Sequence, residues 1–475
     1  DIPSSGLDRW FCLEGRTERS SVQGQIRLKI SLSTREDKDV AKEDDNWKEV
    51  VEHQELFWVF IQYELKQHFG PSYEWAGDLP QPALTILHQH AIQGDITELQ
   101  QTLCRWIMYS KQLMEVPLDY ALLYQLLDDL SRAWGDLENP LSRDEEAALA
   151  ESFNIFLDFC LKIIQKHRDL FPPGNDFTQH KLTHLLKCLS TLHGQKAFRW
   201  CCPFRHDLHV EITSSLKKGT LDWFNAQVAN AEAQLKKDSK WTLKSLIDLI
   251  NILNNDVYKG HMYYNEEFES ITGVSYSVVV YKQLENVPPS HIRSRLRDIV
   301  GDIMGCKIRD SCSAIEVEQN EDPDSEYMVT ATAMFELYMA LQEFIKFKER
   351  LPSDERKNLT LINYHLWFKD AVHHWFVVAK TKSQIRLKKA VELDKVAFLD
   401  NYVKHSTSAV DAATCFVQIK EFWRQLSWPD PAGAFTFVMK VIEIICEGTI
   451  YYAKLCQQKL QKITDADPQN DVTEK

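Results

Sequence analysis

Glycine and proline are scarce in this sequence, with 16 of each in 475 residues. That scarcity excludes an all-β protein with a tight turn every few residues and favours helices. Long apolar runs are missing too. Leu56 to Ile61 is typical of them, whereas a membrane-crossing helix needs about 20 apolar residues. Positive charge is not in excess: 55 Lys and Arg stand against 69 Asp and Glu, a formal net charge of -14. Such a balance opposes general affinity for nucleic-acid phosphates, so no nucleic-acid partner is expected and any polyanion site has to be local. The 11 cysteines, at 12, 104, 160, 188, 201, 202, 306, 312, 415, 446 and 456, form no CxxC pair and are odd in number. This is the pattern of a reduced, cytoplasmic chain. Most sit at helical spacing among apolar residues, as Cys160 does beside Phe156 and Ile164, where a thiol packs as a small hydrophobe. A Gly-rich phosphate loop, HExxH and G-x-S-x-G are all absent, which removes the main enzyme signatures.

What is present is ordinary globular usage, 44% hydrophobic and 11% aromatic. The chain can build a large core, as two to four domains at roughly 100–200 residues each or as one array of packed helices. It starts at Asp1 with no initiator Met and no signal-peptide core, and reads as part of a longer polypeptide.

The first stretch differs from the rest. Asp8 to Leu13 and Gly24 to Leu32 alternate apolar with polar residues, through Ile26, Leu28, Ile30 and Leu32, which is strand periodicity. Two strands alone bury no sheet face, so residues 1–33 read as the end of a truncated β-domain. Residues 34–46 form a charged linker, and from Trp47 onward the periodicity is helical. Phe153, Phe156, Leu157, Cys160, Ile163 and Ile164 follow the i, i+3, i+4, i+7 rule after a start at Ser142, Asp144 and Glu145. The same pattern recurs over Leu182–Leu192, Leu243–Val257, Met328–Phe347 and Phe435–Leu455. Ile271 to Tyr281 is rich in β-branched residues, but Val274, Val278 and Tyr281 share a helical face, so one helix is expected there. Residues 316–326 hold six acidic residues and Pro323 and read as an exposed loop. It separates a first helical part, 47–315, from a second, 327–475. Helix follows helix without a sequence repeat, which points to an all-α, elongated and irregular helical rod.

No catalytic or metal-ligating set is assembled. Cys201, Cys202, His206 and His209 could in principle surround zinc, but adjacent cysteines rarely both turn toward one ion, so packing is the expected role. Asp128-Asp129 suggests a magnesium-diphosphate enzyme until one turn later, where Arg132 stands in place of a further carboxylate. Asn255-Asp256 likewise has Lys259 and Tyr263 where ligands would be needed. His88, His90, His373 and His374 lack obvious carboxylate partners and read as structural or surface residues. A basic stripe is more specific: Lys382, Arg386 and Lys389 recur at i, i+4 and i+7, with Lys380 and Lys388 nearby. It could dock acidic partners or phospholipid headgroups, against the plainer reading of a solvated helix flank.

Lys404-His405-Ser406-Thr407-Ser408-Ala409-Val410-Asp411, followed by Cys415 to Ile419 and by Leu426-Ser427-Trp428-Pro429-Asp430-Pro431, resembles the first homology region of the Munc-thirteen family of exocytosis proteins. The similarity is greatest to the non-neuronal branch, which includes the haematopoietic and the brain angiogenesis-inhibitor-associated paralogues. Asp119-Tyr120 with Leu126-Leu127, Leu185 to Leu189, and Cys202-Pro203-Phe204 followed by Trp223-Phe224 support it. Physically, Ser406, Thr407 and Ser408 offer hydroxyls to the free amides of a helix start. Phe416, Ile419, Phe422, Trp423 and Leu426 then form one apolar face. Trp428-Pro429 ends that helix, and Asp430 with Pro431 caps the next, giving a rigid corner.

The resemblance implies a MUN domain, an elongated helical scaffold flanked in full-length proteins by calcium- and lipid-binding C-two domains. Trp10 to Leu13 and Gly24 to Leu32 would be the last strands of the preceding C-two domain. Its calcium loops would lie upstream, so no cofactor is expected in this segment. The implied role is non-enzymatic: tethering and priming of secretory vesicles by binding SNARE proteins, syntaxin and the SNAP family. Attachment would be peripheral, on secretory vesicles, endosomes or the plasma membrane, through flanking domains. The competing reading is a vesicle-trafficking scaffold that recruits a small GTPase of the Rab type without priming fusion; a metal-dependent helical enzyme is the remote alternative. One departure stands out. Neuronal members carry an Asn and a Phe three residues apart in a helix implicated in opening syntaxin, and an ungapped placement from Leu337-Tyr338 puts Val329 and Thr332 there.

Overall fold

The computed structural model describes residues 7–13, 24–30, 46–67, 75–116, 118–135, 141–234, 242–286, 294, 326–357, 359, 361–394 and 406–466. It is all-α apart from a short N-terminal sheet of β1 (Leu7–Cys12) and β2 (Gln25–Ile30). The helices are α1 (Trp47–Gln67), α2 (Gln81–Gln93), α3 (Glu98–Gln112), α4 (Tyr120–Trp134), α5 (Arg143–Gln165), α6 (His167–Leu170), α7 (Asp176–Gly194) and α8 (Lys196–Cys201). They continue with α9 (Leu208–Gln234), α10 (Leu243–Tyr263), α11 (Asn265–Thr272), α12 (Tyr276–Asn286) and α13 (Glu326–Lys346). Short 3-10 segments at Phe347–Arg350 and Leu361–Phe368 precede α14 (Lys369–Leu393), α15 (Thr407–Leu426) and α16 (Pro431–Ala466). Among the described residues no helix is long and apolar enough to cross a membrane. The linker 34–45 and the acidic residues 316–325 lie outside the described residues.

The chain divides into two compact units, residues 1–156 with 194–203, and residues 157–193 with 204–475. In the first, β1 and β2 pair antiparallel with Leu7 opposite Ile30 and Cys12 opposite Gln25. Two strands cannot hold themselves in water, and Arg27 ties them down. It bonds Asp8 at 2.8 Å, ion-pairs with Glu146 of α5 and lies 4.4 Å over the Trp200 ring. Helix starts are chemically specified. Thr97 and Gln100 form a reciprocal capping box for α3, and the Ala121 amide donates to Asp119 at the start of α4. Ser142 and Glu145 bond reciprocally at the start of α5. Val50, Ala91, Ile96 and Cys104 form a core cluster with Trp47 against it. Fully buried Trp106 meets the Phe156 ring edge-on at 5.1 Å and donates its indole N–H to Ser152 at 3.0 Å.

The second unit buries Cys160, Leu185, Leu186, Cys188 and Leu189 completely. His167 is enclosed, its Nδ1 2.8 Å from the Ile164 carbonyl and its Nε2 2.9 Å from the Tyr276 hydroxyl. Beside it Arg168 donates two bonds to Asp256, at 2.7 and 2.9 Å, and lies 4.8 Å over Trp223. At Gly219 of α9 a Cβ would fall 2.3 Å from the Gln165 carbonyl oxygen, so this backbone contact requires glycine. α10 lies against α13 through Asn254, which donates to the Ala340 carbonyl at 2.9 Å.

The single helix expected over Ile271–Tyr281 is corrected. Gly273, left-handed at φ 72°, ends α11, and α12 begins at Tyr276. The β-branched run Val278 to Val280 is nevertheless helical, because Val280 and Tyr281 are buried together on one face of α12.

Candidate functional site

A groove of about 550 Å³ in the second unit is bounded by α13, α14 and α15. Its floor is aromatic. Trp375 stacks on Phe422 with centroids 4.6 Å apart, and Phe335 meets the Phe422 ring edge-on at 5.1 Å. Ala379, Cys415 and Ile419 complete the apolar lining. Burial pushes the Cys415 thiol up in pKa while Arg386 draws it back, so the thiol stays neutral and acts as lining.

Lys382, Arg386 and Lys389 of α14 are exposed and stand along the groove. Their spacing of four and then three residues puts all three on one helical edge. Arg386 donates to the Gln418 side chain at 2.6 Å, and among the described residues no carboxylate ion-pairs with any of the three. The structure thus sets three cations beside an apolar trough. The other members of the basic stripe go elsewhere: Lys380 bridges to Glu447 of α16 at 2.7 Å, and Lys388 is exposed away from the lining. Sequence reading did not single out Phe335 or Trp375. The groove exists only where three helices meet, so no local spacing marks them.

The signature segment builds a corner beside this groove. Lys404 and His405 lie outside the described residues. Ser406 begins α15 but makes no side-chain cap, which corrects the expectation that the three hydroxyls satisfy helix amides. They bind laterally instead: Thr407 and Ser408 each donate to Asp394 at 2.7 Å, Ser406 lies 2.9 Å from Ser408, and Ser408 lies 2.9 Å from the Tyr452 hydroxyl. These hydroxyls act as donors to Asp394, whose charged carboxylate makes the bonds strong, instead of as acceptors from helix amides. Burial opposes that charge, but the bonds from Thr407 and Ser408 hold its pKa below the usual carboxylate value. Lys459 of α16 donates to the Val391 and Asp394 carbonyls, so α14, α15 and α16 are joined here.

At the other end of α15, Ser427 is left-handed at φ 45°, and the Leu426 carbonyl accepts from Tyr338 and Gln342 of α13, both at 2.9 Å. Trp428 stacks on Tyr338, Pro429 is exposed, and Asp430 caps α16 through the amides of Ala432 and Gly433, with Pro431 as its first residue. Asp411 is exposed on α15, and Phe416 is half-buried with its ring against Gly448. Val329 and Thr332 are on α13, the helix that supplies Phe335; their side chains lie outside the described ones.

The remaining candidates are committed elsewhere. Arg132 binds both Asp128 and Asp129, and Asp256 is held by Arg168. His90 faces His53, His373 contacts the Phe437 ring, and His88 is exposed. Among the described residues no group of three or more His, Cys, Asp or Glu is placed to hold a metal ion.

No protein-family model matches the chain. It is 29% identical over 460 residues to human BAI1-associated protein 3, covering 97% of this chain and 37% of that protein. Human protein unc-13 homolog D is 26% identical over 458 residues, 96% of this chain and 39% of that one. Protein unc-13 homolog 4B of Drosophila melanogaster is 26% identical over 490 residues, 99% of this chain and 40% of that one. The chain therefore spans about two fifths of the length of these curated relatives. Over nearly its whole length it is a homologue of BAI1-associated protein 3 and the unc-13 proteins, consistent with a MUN domain from the non-neuronal branch of the Munc-thirteen family.

Proposed function

We propose that this chain is a binding scaffold in vesicle exocytosis, which helps to tether and prime secretory vesicles by holding SNARE proteins of the syntaxin and SNAP families. Homology to the unc-13 proteins supports membership in a vesicle-exocytosis and priming family. The single structural observation that carries the finer reading is the aromatic groove with Lys382, Arg386 and Lys389 along one edge. An amphipathic acidic helix fits that chemistry: its apolar side fills the trough and its carboxylates meet the three cations. The work proposed is binding, with no bond made or broken, and membrane attachment is peripheral.

The test is a titration of the 475-residue chain with syntaxin and SNAP-family proteins, separately and assembled. Binding that weakens with salt, and at least roughly tenfold in the Lys382→Glu/Arg386→Glu double variant, supports the reading. No binding to either family, under conditions where an established SNARE binder is retained, sinks it. A reconstituted liposome fusion assay then separates priming from mere recruitment.

A further inference from the structure

Among the described residues no Asp or Glu lines the groove bounded by α13, α14 and α15. Its charged lining is Lys382, Arg386 and Lys389, none of them ion-paired there, whereas Lys380 just before them is taken by Glu447. Arg386 reaches across to Gln418 of α15, which it bonds at 2.6 Å. A guanidinium only donates, so the amide oxygen of Gln418 has to face it and the amide NH2 is left over. Both side chains are exposed, and among the described residues Gln418 makes no other bond. Ser383, the remaining hydroxyl of the lining, is buried and donates to the Lys380 carbonyl at 2.7 Å. The exposed rim therefore offers hydrogen-bond donors and no free acceptor.

We propose that Gln418 is the specificity-determining residue of this groove: its neutral amide holds Arg386 at the trough and leaves the guanidinium charge to a partner helix that brings carboxylates on successive turns. This inference rests on the groove reading given above. A carboxylate at position 418 would also bond Arg386, but it would cancel the charge that the partner has to meet. An apolar residue would keep the charge and release the side chain. An amide of this length does both jobs. The spacing defines the partner further. From Lys382 to Lys389 the three cations run about 10 Å along α14 at 1.5 Å per residue, so a single acidic side chain cannot serve them all. Two or three carboxylates placed three or four residues apart on one helix can, while its apolar side lies on Trp375 and Phe422.

The experiment is a fluorescence-anisotropy titration of the 475-residue chain over a range of salt. The probe is a labelled amphipathic helical peptide with glutamates at i, i+4 and i+7 beside an apolar face, and its control has glutamine at each of those positions. The acidic peptide is expected to bind more tightly than the neutral one. Gln418→Glu should weaken the acidic peptide at least roughly fivefold, flatten its salt dependence and leave the neutral peptide unchanged. Gln418→Met, which breaks the bond without adding charge, should weaken it less and keep the salt dependence of the parent chain. Both variants should melt with the parent, because residue 418 is exposed. Were the bond only a tie between α14 and α15, the order would reverse, since glutamate retains it and methionine does not. Methionine more damaging than glutamate overturns the inference. So does an unaltered Gln418→Glu while Lys382→Glu/Arg386→Glu loses the acidic peptide, a result that leaves the groove reading standing. If Lys382→Glu/Arg386→Glu holds the acidic peptide as tightly as the parent does, both fall.

Discussion

Trp375 lies stacked on Phe422, with ring centroids 4.6 Å apart and planes 18° from parallel, although the two residues belong to different helices. The pair fixes the spacing of α14 and α15 and so sets the width of the groove beneath the basic rim. Phe422→Ala removes the half-buried ring and is expected to cost about 2 kcal/mol, below the range for a fully buried Phe. Lys382→Glu/Arg386→Glu should leave stability within about 0.5 kcal/mol, because both are exposed. Urea unfolding beside a binding titration with an acidic amphipathic peptide separates the two effects. If the charge variant unfolds as early as Phe422→Ala, the rim is structural.

The Leu426 carbonyl at the corner accepts from both Tyr338 and Gln342. Tyr338→Phe leaves one donor and is expected to cost about 1 kcal/mol. Tyr338→Phe with Gln342→Leu strands a buried carbonyl and should cost more than the two single changes added. A double-mutant cycle by denaturant unfolding reads this directly.

Arg168 and Asp256 form a buried, two-bond ion pair with side chains 9% and 13% exposed. Arg168→Met leaves the Asp256 carboxylate without its partner and should destabilise by about 3–5 kcal/mol. Arg168→Met/Asp256→Leu should recover much of that loss, since a matched apolar pair carries no desolvation penalty. Failure of the double variant to recover would show that stacking on Trp223, and not charge pairing, is the main contribution.

Burial, with Arg168 adjacent, holds His167 at a pKa of about 3, against 6.5 ordinarily. Between those values the unfolded chain binds the extra proton and the folded chain does not, so stability rises with pH across that window. It is fully present above pH 6.5 and is lost as pH falls toward 3. His167→Phe deprives Tyr276 of its partner and lowers stability at pH 7. Its stability should also fall less steeply on acidification, by up to about 1.4 kcal/mol per pH unit. Parallel slopes for the two proteins between pH 6 and 4.5 would rule out this titration.

Helix content and class were legible in the sequence because apolar spacing reports one face of an element at a time. The row at Phe153, Phe156, Leu157 and Cys160 predicts α5, and each of these residues is fully buried. The alternation at Ile26, Leu28 and Ile30 predicts β2. Periodicity missed a break that one residue imposes: Gly273 interrupts the helix expected through Ile271–Tyr281, since its left-handed backbone cannot continue one. Ser406 to Ser408 was readable as a helix start but not as a clamp. Their acceptor, Asp394, lies on the far side of a chain segment whose course spacing does not encode.

The amino-acid order alone therefore determined that this is a helical chain with a β remnant, no candidate catalytic motif and a basic stripe on one helix. Tertiary packing alone decided which cations of that stripe flank a trough, because Lys382, Arg386 and Lys389 acquire their aromatic neighbours only when α13 and α15 close against α14. It also decided which apolar rows stay in water. α16 carries two such rows, and periodicity cannot tell the one that α14 and α15 cover from the one they leave exposed.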